Sequence, residues 1–552
     1  MEFPSEGECK VILCVLPTQQ GKTFTAIGHI DVEMAQDDEY GRSIHFVFTM
    51  NTLLNNKQFA ARLAAIERAH GRGSVCVFAS KYNGTYTHVT DRLQLQGLCV
   101  DAATCPRVVV MCSNKARYDD GVAFLKVIDQ NRICVHRAFA YYDELHMYIS
   151  DSLRAQIEAI NALEIVRGIM ALTATPDKIF ARDGGFWSTL RLIELDELND
   201  RNYAGCDDMI FHCVDDFHSF PYTRPKTFDE LDEQTVGYVA HILRANPHIL
   251  RDGTTTFIPA HRRRVGHNQV RDLVFSTNNN AVVAVINGSE KTLQYQDASG
   301  QTITAELTSN HEEVCETICR VLTTHGLTTR PVVITGFLCV GMGQTLTHKS
   351  RGSFTSAILG HLDLTNDDLY QLFGRVTGRT KDWGDKYTPT QVYCPTPVMN
   401  RCRVMEECSR NMARAHNGEV VSQDDYREPM TVMGAAGASA IENLRKAKSV
   451  STKRNTYDSD REHRVFASQD DAIAFAKTLG VKLNRRKDSD APKELRKDGK
   501  NLSSAALFAR MWGLSDQTIL RMIPTCDNEW CVYWRPSTIK ARGHGMNGPT
   551  ST

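Results

Sequence analysis

The sequence predicts an α/β protein with two consecutive parallel-sheet domains and a small C-terminal α+β domain. Over roughly the first 400 residues, apolar runs of strand length rich in Val, Ile and Leu alternate with segments of helical periodicity. The chain has 552 residues, more than one hydrophobic core usually organises. A region rich in Ser, Asn, Asp and Gly then precedes a basic end. We expect domains at 1–200 and 201–400, a helix and linker at 401–460, and an accessory domain at 461–552.

The composition is typical of a soluble globular protein, with 42% hydrophobic and 23% charged residues and a formal net charge of −1. No run of about 20 apolar residues is present, and three acids (Glu2, Glu6 and Glu8) precede the first apolar stretch. The 17 cysteines are scattered and lack CxxC spacing, which favours reduced thiols. We therefore expect an intracellular protein, in the cytoplasm or nucleus or packaged in a virion, with no membrane partner.

The near-neutral total hides a strong asymmetry of charge. From Arg445 to the end, 21 Lys and Arg face 12 Asp and Glu, a net charge of +9, so the preceding residues carry −10. A basic end on an acidic body favours a polyanionic partner. The alternative is a basic tail that is only solvated.

The stretch LPTQQGKTF (16–24) follows an apolar run typical of a buried strand and precedes a segment of helical periodicity. Strand, tight loop and helix form the setting of a phosphate-binding loop, in which backbone N–H groups, a lysine and a hydroxyl contact phosphates and Mg²⁺. Gln19, however, stands where many such loops have glycine. The candidate nucleotide-binding residues are Pro17, Thr18, Gln20, Gly21, Lys22 and Thr23.

Two further predicted strands end in polar residues. In RAFAYYDELHMYI, the strand Arg137–Tyr142 is followed by Asp143, Glu144 and His146. An Asp at the carboxyl end of a parallel strand can hold Mg²⁺, and a neighbouring Glu can activate water. The alternative is that these acids begin a helix and complement its dipole. About 30 residues later, GIMALTATP delivers Thr173 and Thr175.

The segments PTQQGKT, DELH and TATP resemble motifs I, II and III of superfamily 2 helicases, the DExD/H group. Residues 254–270, 331–347 and 368–380 resemble motifs IV, V and VI in the same order. Residues 45–63 and 108–114 occupy the places of weaker motifs that face nucleic acid. The resemblance covers roughly residues 10–395.

The resemblance implies two RecA-like domains with ATP and Mg²⁺ in the cleft between them. It also implies that the protein acts on DNA or RNA and has no small-molecule substrate other than ATP. It implies that the loop residues bind ATP together with Gly341 and Gln344, and that Thr23 and Asp143 hold Mg²⁺. Further implied roles are Glu144 for the attacking water, Gln371, Arg375 and Arg379 for catalysis and cleft closure, and His146, Thr173 and Thr175 for coupling to nucleic acid.

This chain departs from the family pattern in two places. Gln19 replaces a loop glycine, and the arginine motif Gly374–Arg379 is one residue longer than Gly-Arg-x-Gly-Arg. The longer spacing leaves open whether Arg375 or Arg379 reaches the γ-phosphate. A helicase-fold binding protein with weak or lost ATPase is therefore an alternative to a helicase or translocase, and a motor subunit for DNA restriction or packaging is a third interpretation.

Past residue 400 we predict a helix over 401–418, a linker over about 419–460, a strand and a helix capped near Ser468, helices over 503–523 and an aromatic strand in EWCVYWRPSTI. This region is either a winged-helix-like nucleic-acid module or a packing domain with Trp530, Tyr533 and Trp534 in its own core. A faint similarity to C-terminal appendages of large DNA-virus proteins makes a viral source an expectation as well.

Overall fold

The computed structural model divides the chain into two compact units, Met1–Leu444 and Arg445–Thr552, and each is described by itself. The described residues are 10–50, 53–82, 84–131, 134–147, 151–176, 179, 189–193, 201–220, 222–223, 225, 227–287, 290–307, 313–337, 340, 345–415, 418–422, 462–478, 496–497, 500–501, 520–524 and 529–534. The predictions on Gly341 and Gln344, and on most of the helices over 503–523, lie outside them.

The first sheet lies in the first half of the chain. Its strands are β1 (Val11–Val15), β2 (Ser43–Thr49), β3 (Val75–Phe78), β4 (Thr87–Val89), β5 (Val108–Cys112), β6 (Arg137–Tyr142), β7 (Val166–Thr173) and β8 (Thr189–Leu192). They are arranged in the order β8-β1-β7-β6-β2-β5-β3-β4, and every neighbouring pair is parallel. The helices around them are Lys22–Ala35, Asp37–Tyr40, Leu53–Arg62, Ala64–His70, Arg92–Leu98, Lys115–Asn131 and Asp151–Asn161.

Both faces of this sheet are buried, as a parallel sheet requires. Along β1, Val11, Leu13 and Val15 belong to the core on one face, and Ile12 and Cys14 belong to the core on the other. This explains why the strand is an uninterrupted apolar run rather than an alternation of apolar and polar residues.

A second sheet follows. After the short β9 (Tyr203–Ala204), its strands are β10 (Ile210–Cys213), β11 (Thr255–Phe257), β12 (Val282–Ile286), β13 (Lys291–Gln296), β14 (Thr302–Glu306), β15 (Val332–Gly336), β16 (Ser356–Ile358) and, after the short β17 (Gly378–Arg379), β18 (Gln391–Cys394). The order is β10-β18-β16-β11-β15-β12-β13-β14, parallel except for the antiparallel pairs β12–β13 and β13–β14. Its helices are Phe228–Ala245, Arg264–Thr277, Val314–Thr324 and Asn366–Phe373.

The chain then returns to the first sheet. The helix Thr396–Ala415 begins five residues before the predicted start, with Pro397 in its first turn, where a missing N–H is tolerated. Then β19 (Val420–Ser422) pairs antiparallel with β8, so the prediction of a linker from residue 419 is wrong at its beginning. Three residues are too few to show an alternating pattern, although Val421 is buried in the core of the first sheet.

In the second unit, β20 (Glu462–Phe466) precedes the helix Gln469–Thr478, and the later strands are β21 (Arg496–Lys497), β22 (Lys500–Asn501), β23 (Leu520–Pro524) and β24 (Trp530–Trp534). Ser468 Oγ accepts a hydrogen bond from Asp471 N at 3.2 Å, the predicted helix cap. The helix predicted through residue 523 is wrong at its end, because Leu520–Pro524 pairs antiparallel with β24. So short an apolar segment cannot be assigned from periodicity alone.

The predicted fold class is confirmed, with two mostly parallel sheets and helices between their strands. The three predicted boundaries, at residues 200, 400 and 460, stay predictions. Among the helices that the structure describes, none combines the length and the apolar character needed to cross a membrane.

Candidate functional site

Three neighbouring strands of the first sheet, β1, β7 and β6, end at the same edge. The backbone N–H of Leu16, just after β1, donates to the carbonyl of Thr173 at the end of β7 at 3.2 Å. The sheet therefore brings together the loop after β1, the acids after β6 and the threonines after β7. Open parallel sheets bind ligands at this edge.

The loop after β1 turns tightly into the following helix. Gln20 N donates to Pro17 O at 3.3 Å, and Gly21, at φ 107°, begins the helix Lys22–Ala35. Gln19 has φ 64°, a left-handed conformation unusual for a residue other than glycine. Apart from glycines, Gln19 and Glu144 are the two residues with positive φ in the part of the chain that the structure describes. Both lie in this site, and such strained backbone clusters at functional sites.

The side chain of Lys22, the first residue of the helix, folds back onto the loop. Its ammonium donates to Leu16 O at 3.3 Å and to Pro17 O at 3.4 Å, and it lies 3.6 Å from Glu144 Oε1. The side chain is 7% exposed, so this cation is nearly buried next to the carboxylate that neutralises it. A bound phosphate could take the place of that carboxylate as the anionic partner of Lys22.

The two acids after β6 are in different electrostatic states. Burial, and secondarily the charge of Glu144, raise the pKa of Asp143 above its usual value. Burial alone would also raise the pKa of Glu144, but Lys22, His146, Arg375 and a hydrogen bond from Gln371 together lower it. Glu144 is therefore the carboxyl whose ionised form is favoured, whereas at Asp143 the charges of Lys22, Arg62 and Arg375 do not outweigh burial and the neighbouring Glu144.

His146 connects Glu144 to the threonines after β7. Its Nδ1 lies 2.8 Å from Thr173 Oγ1 and 3.5 Å from Glu144 Oε2. Thr173 Oγ1 also accepts a hydrogen bond from the backbone N–H of Thr175 at 3.0 Å. In addition, Ser409 Oγ donates to the carbonyl of Ala174, so this segment contacts the long helix Thr396–Ala415. The three residues predicted to couple ATP to nucleic acid thus form one buried chain of contacts.

Residues on the other side of Glu144 come from the second sheet's domain, the segment from β10 to β18 with the helices between these strands. Gln371, in the helix Asn366–Phe373, donates from Nε2 to Glu144 Oε2 at 3.2 Å. No hydrogen-bond partner of Gln371 Oε1 is found among the described residues. Arg375 is buried and donates from Nε to Gln371 O at 3.3 Å, and burial lowers its pKa to about 10. Its charge acts on both Glu144 and Asp143.

The two arginines of the longer motif are in different environments. Arg379 is half-buried and lies in β17, where it pairs with Tyr203 of β9. Arg375, by contrast, belongs to the buried group around Glu144. The structure therefore brings together Lys22, Glu144, Gln371 and Arg375, with Asp143, His146, Thr173 and Thr175 beside them. It places Arg379 outside this group, in the two-stranded ladder β9–β17, whose Tyr203 contacts the loop after β1.

The sequence did not predict a contact that Arg62 makes between the domains of the two sheets. Arg62 Nε donates to Glu313 Oε1 at 2.8 Å, and Arg62 Nη2 donates to Thr345 Oγ1 at 2.9 Å. Arg62 ends the helix Leu53–Arg62, and Glu313 precedes the helix Val314–Thr324, 251 residues later. No local pattern links positions so far apart, so only the folded chain reveals the pair.

No protein-family model and no curated protein sequence matches the chain. Among solved structures, it is similar to the E. coli DExH-box NTPase HrpB (9% identity, 73% of this chain and 43% of that chain, TM-score 0.36). It is also similar to the DEAD-box helicase Mss116 bound to ssRNA and UDP-BeF (12% identity, 75% and 70%, TM-score 0.41) and to the Pyrococcus furiosus Hef helicase domain (11% identity, 70% and 92%, TM-score 0.38).

The chain spans 43% of HrpB and 50% of another similar structure, the DUF1998 helicase MrfA. At these identities and TM-scores, the similarities identify neither a reaction nor a substrate for this chain.

Proposed function

We propose that this chain is an ATP-dependent nucleic-acid helicase or translocase of the superfamily 2 type, which hydrolyses ATP in the cleft between its two parallel sheets. One observation carries the proposal. Glu144 is contacted by Lys22 of the phosphate loop at 3.6 Å and by Gln371 of the second sheet's domain at 3.2 Å. A cation for phosphate, a carboxylate for water and an amide from the opposite wall are the groups that phosphoryl transfer to water requires.

The residues present fit a Mg²⁺–ATP complex. The backbone turn at Gly21 and the ammonium of Lys22 suit phosphates, and the carboxylate of Asp143 and the hydroxyl of Thr23 are oxygen donors of the kind Mg²⁺ prefers. Within the described ranges, no three His, Cys, Asp or Glu side chains lie close enough together to hold a metal ion. This agrees with a metal held by one or two protein oxygens and completed by phosphate and water.

Each residue around Glu144 then has a distinct task. Glu144, kept ionised by its cationic neighbours, orients the attacking water and accepts its proton. Gln371 offers to the same water its Oε1, which has no hydrogen-bond partner among the residues that the structure describes. The buried charge of Arg375 stabilises the negative charge that develops on the phosphate oxygens. Arg375, rather than Arg379, is the proposed arginine finger.

Nucleic acid is the proposed macromolecular partner. The contacts from Glu144 through His146 to Thr173 and Thr175 connect the water-activating group to a neighbouring strand end of the first sheet. The hydrogen bond from Ser409 to Ala174 extends this connection to the helix Thr396–Ala415. Closure of the cleft on ATP and its opening after hydrolysis would move the two domains relative to a bound strand.

A second candidate function is a helicase-fold binding protein with weak ATPase. The observation that favours it is the left-handed conformation of Gln19 in the phosphate loop, where close approach to phosphate usually requires glycine. The two functions differ in whether nucleic acid accelerates ATP turnover.

The test is the ATPase rate with single-stranded DNA, duplex DNA and RNA added separately, together with equilibrium binding of a fluorescent ADP analogue. We expect stimulation by at least one nucleic acid and loss of nucleotide binding in Lys22→Ala. Lys10→Ala is the matched control, because Lys10 immediately precedes β1, at the end of that strand opposite the phosphate loop, and its Nζ donates to Asn161 O. Unchanged nucleotide binding by a folded Lys22→Ala variant would reject this site.

A further inference from the structure

The arginine motif Gly374–Arg379, the segment that is one residue longer than the family pattern, contacts the phosphate loop directly. The Thr377 hydroxyl lies 3.1 Å from Thr18 O and 3.2 Å from Thr18 Oγ1 in the loop, and 3.0 Å from Gly374 O in its own segment, so its one proton is shared between the two segments. Gly374 approaches so closely that a Cβ added to it would lie 2.0 Å from Thr18 Oγ1. The second sheet's domain therefore contacts Thr18 at both its backbone carbonyl and its side chain.

The two departures from the family pattern meet at this contact. A Cβ added to Gly378 would lie 3.4 Å from Gln19 Cβ, so the backbone of the longer segment lies against the residue that replaces the loop glycine. The unusual loop residue and the unusual segment length are thus neighbours in space, about 360 residues apart in sequence.

These contacts exclude water. Thr18 is 1% exposed, Thr377 is 3% exposed and Tyr203 is fully buried. Tyr203 contributes a second donor, since its hydroxyl lies 3.1 Å from Thr18 O. If a buried hydrogen bond to Thr18 is lost, water cannot replace it. Each of these bonds therefore strongly favours the loop conformation in which it forms.

Gln19 needs this support. At φ 64° it has a left-handed backbone, which side chains other than those of Gly, Asn and Asp rarely adopt. A conformation of this kind persists when the surrounding structure imposes it. The hydrogen bonds to Thr18 fix the preceding residue, and Gly378 packs against the side of Gln19.

We propose that Thr377 is a positioning residue that holds the phosphate loop in its nucleotide-binding conformation, so that nucleotide affinity depends on contact between the two domains. The inference rests on the proposed nucleotide site. When the domains separate, Thr18 loses the bond from Thr377, Gln19 relaxes towards an ordinary backbone, and the loop loses affinity for phosphate. Glycine at position 19 would remove this dependence because it adopts the left-handed conformation without support.

The experiment measures the Kd for a fluorescent ADP analogue with full-length Thr377→Val, Thr377→Ser, Gln19→Gly and Gln19→Gly/Thr377→Val. Thr377→Val keeps the shape and removes the hydroxyl, and we expect affinity to fall about tenfold, the effect of one buried hydrogen bond. Thr377→Ser should bind like the wild type. Gln19→Gly should bind at least as tightly as the wild type, and the double variant should lie within about threefold of Gln19→Gly.

Thr390→Val is the control for a structural effect, because Thr390 donates a buried hydroxyl to Phe354 O within the second sheet's domain. It should lower the melting temperature without changing the Kd. Tight binding by Thr377→Val, or no rescue of that variant by Gln19→Gly, overturns the inference. If the wild type shows no Lys22-dependent binding at all, the proposed function fails and the inference falls with it.

Discussion

Gln371 Nε2, in the helix Asn366–Phe373, donates a hydrogen bond at 3.2 Å to Oε2 of Glu144, which follows strand β6 and lies 227 positions earlier in the chain. Gln371 is 1% exposed and Glu144 is 6% exposed, so the bond lies out of water. The orientation of the carboxylate that faces Lys22 therefore depends on the position of the second sheet's domain. In the proposed enzyme, this bond would make hydrolysis depend on closure of the two domains.

Replacing Gln371 by Met should separate binding from turnover. Methionine has a similar length but neither donates to Glu144 nor offers an oxygen to water. Loss of a hydrogen bond to a charged group costs roughly 1.5–3 kcal/mol, so we expect kcat to fall about tenfold or more, with KM for ATP within about threefold. Gln391→Met, in strand β18 of the same domain, is the control and should keep both values. An unchanged kcat in Gln371→Met would show that the bond has no catalytic role.

The two arginines should differ sharply. Arg375→Ala removes the buried guanidinium whose charge acts on Glu144 and Asp143. Because an arginine finger contributes about 10³–10⁵ to the rate, we expect a loss of at least about 10²-fold in kcat. Arg379→Ala, in the half-buried ladder with Tyr203, should lose less than about tenfold. The reverse order in steady-state ATPase assays would assign the finger to Arg379.

Deleting residues 445–552 tests the charge asymmetry. This unit carries a net charge of +9, and cations that neutralise phosphates make nucleic-acid binding weaken steeply with salt. We expect the deletion to weaken binding and to flatten the dependence of log K on log salt, while basal ATPase survives. Fluorescence anisotropy at several salt concentrations measures the slope. An unchanged slope would mean that the basic residues are only solvated.

A pH dependence of stability follows from His361. Its Nε2–H donates to Ala260 O at 2.8 Å, and burial lowers its pKa to about 4. The unfolded chain, with a histidine pKa near 6.5, binds the proton more readily, so the free energy of unfolding falls as the pH drops below about 6.5. Between pH 7 and pH 5.5 we expect the wild type to lose about 1 kcal/mol more than His361→Gln. Urea unfolding at both pH values measures this, and equal losses in the two proteins would contradict it.

Much of the candidate site could be predicted because its polar residues directly follow apolar runs that mark the ends of strands. The apolar run before Lys22 and the polar residues after Tyr142 mark β1 and β6, and parallel strands bring their carboxyl ends to one edge. The alternative, that the acids begin a helix, is met in part, because the short 3-10 helix Leu145–Met147 follows Glu144 directly. It leaves the contacts of Glu144 with Lys22 and Gln371 without an explanation.

What the sequence could not provide depends on pairs distant in the chain. Thr377 contacts Thr18 and Arg62 contacts Glu313 only because distant parts of the chain meet when it folds, and neither pair leaves a local pattern. The strand Val420–Ser422 was missed for a related reason, since its identity depends on the free edge of β8 and not on its own three residues.

The most direct test of the proposed function is the nucleic-acid-stimulated ATPase of Glu144→Gln, measured together with its Kd for a non-hydrolysable ATP analogue. Glutamine keeps the size of the side chain and removes its ability to accept a proton. If Glu144 activates water, turnover should fall by about 10²–10⁴-fold, with nucleotide affinity within about threefold of the wild type. A loss of turnover below about threefold would contradict it, because Glu144 would then not be the group that activates water.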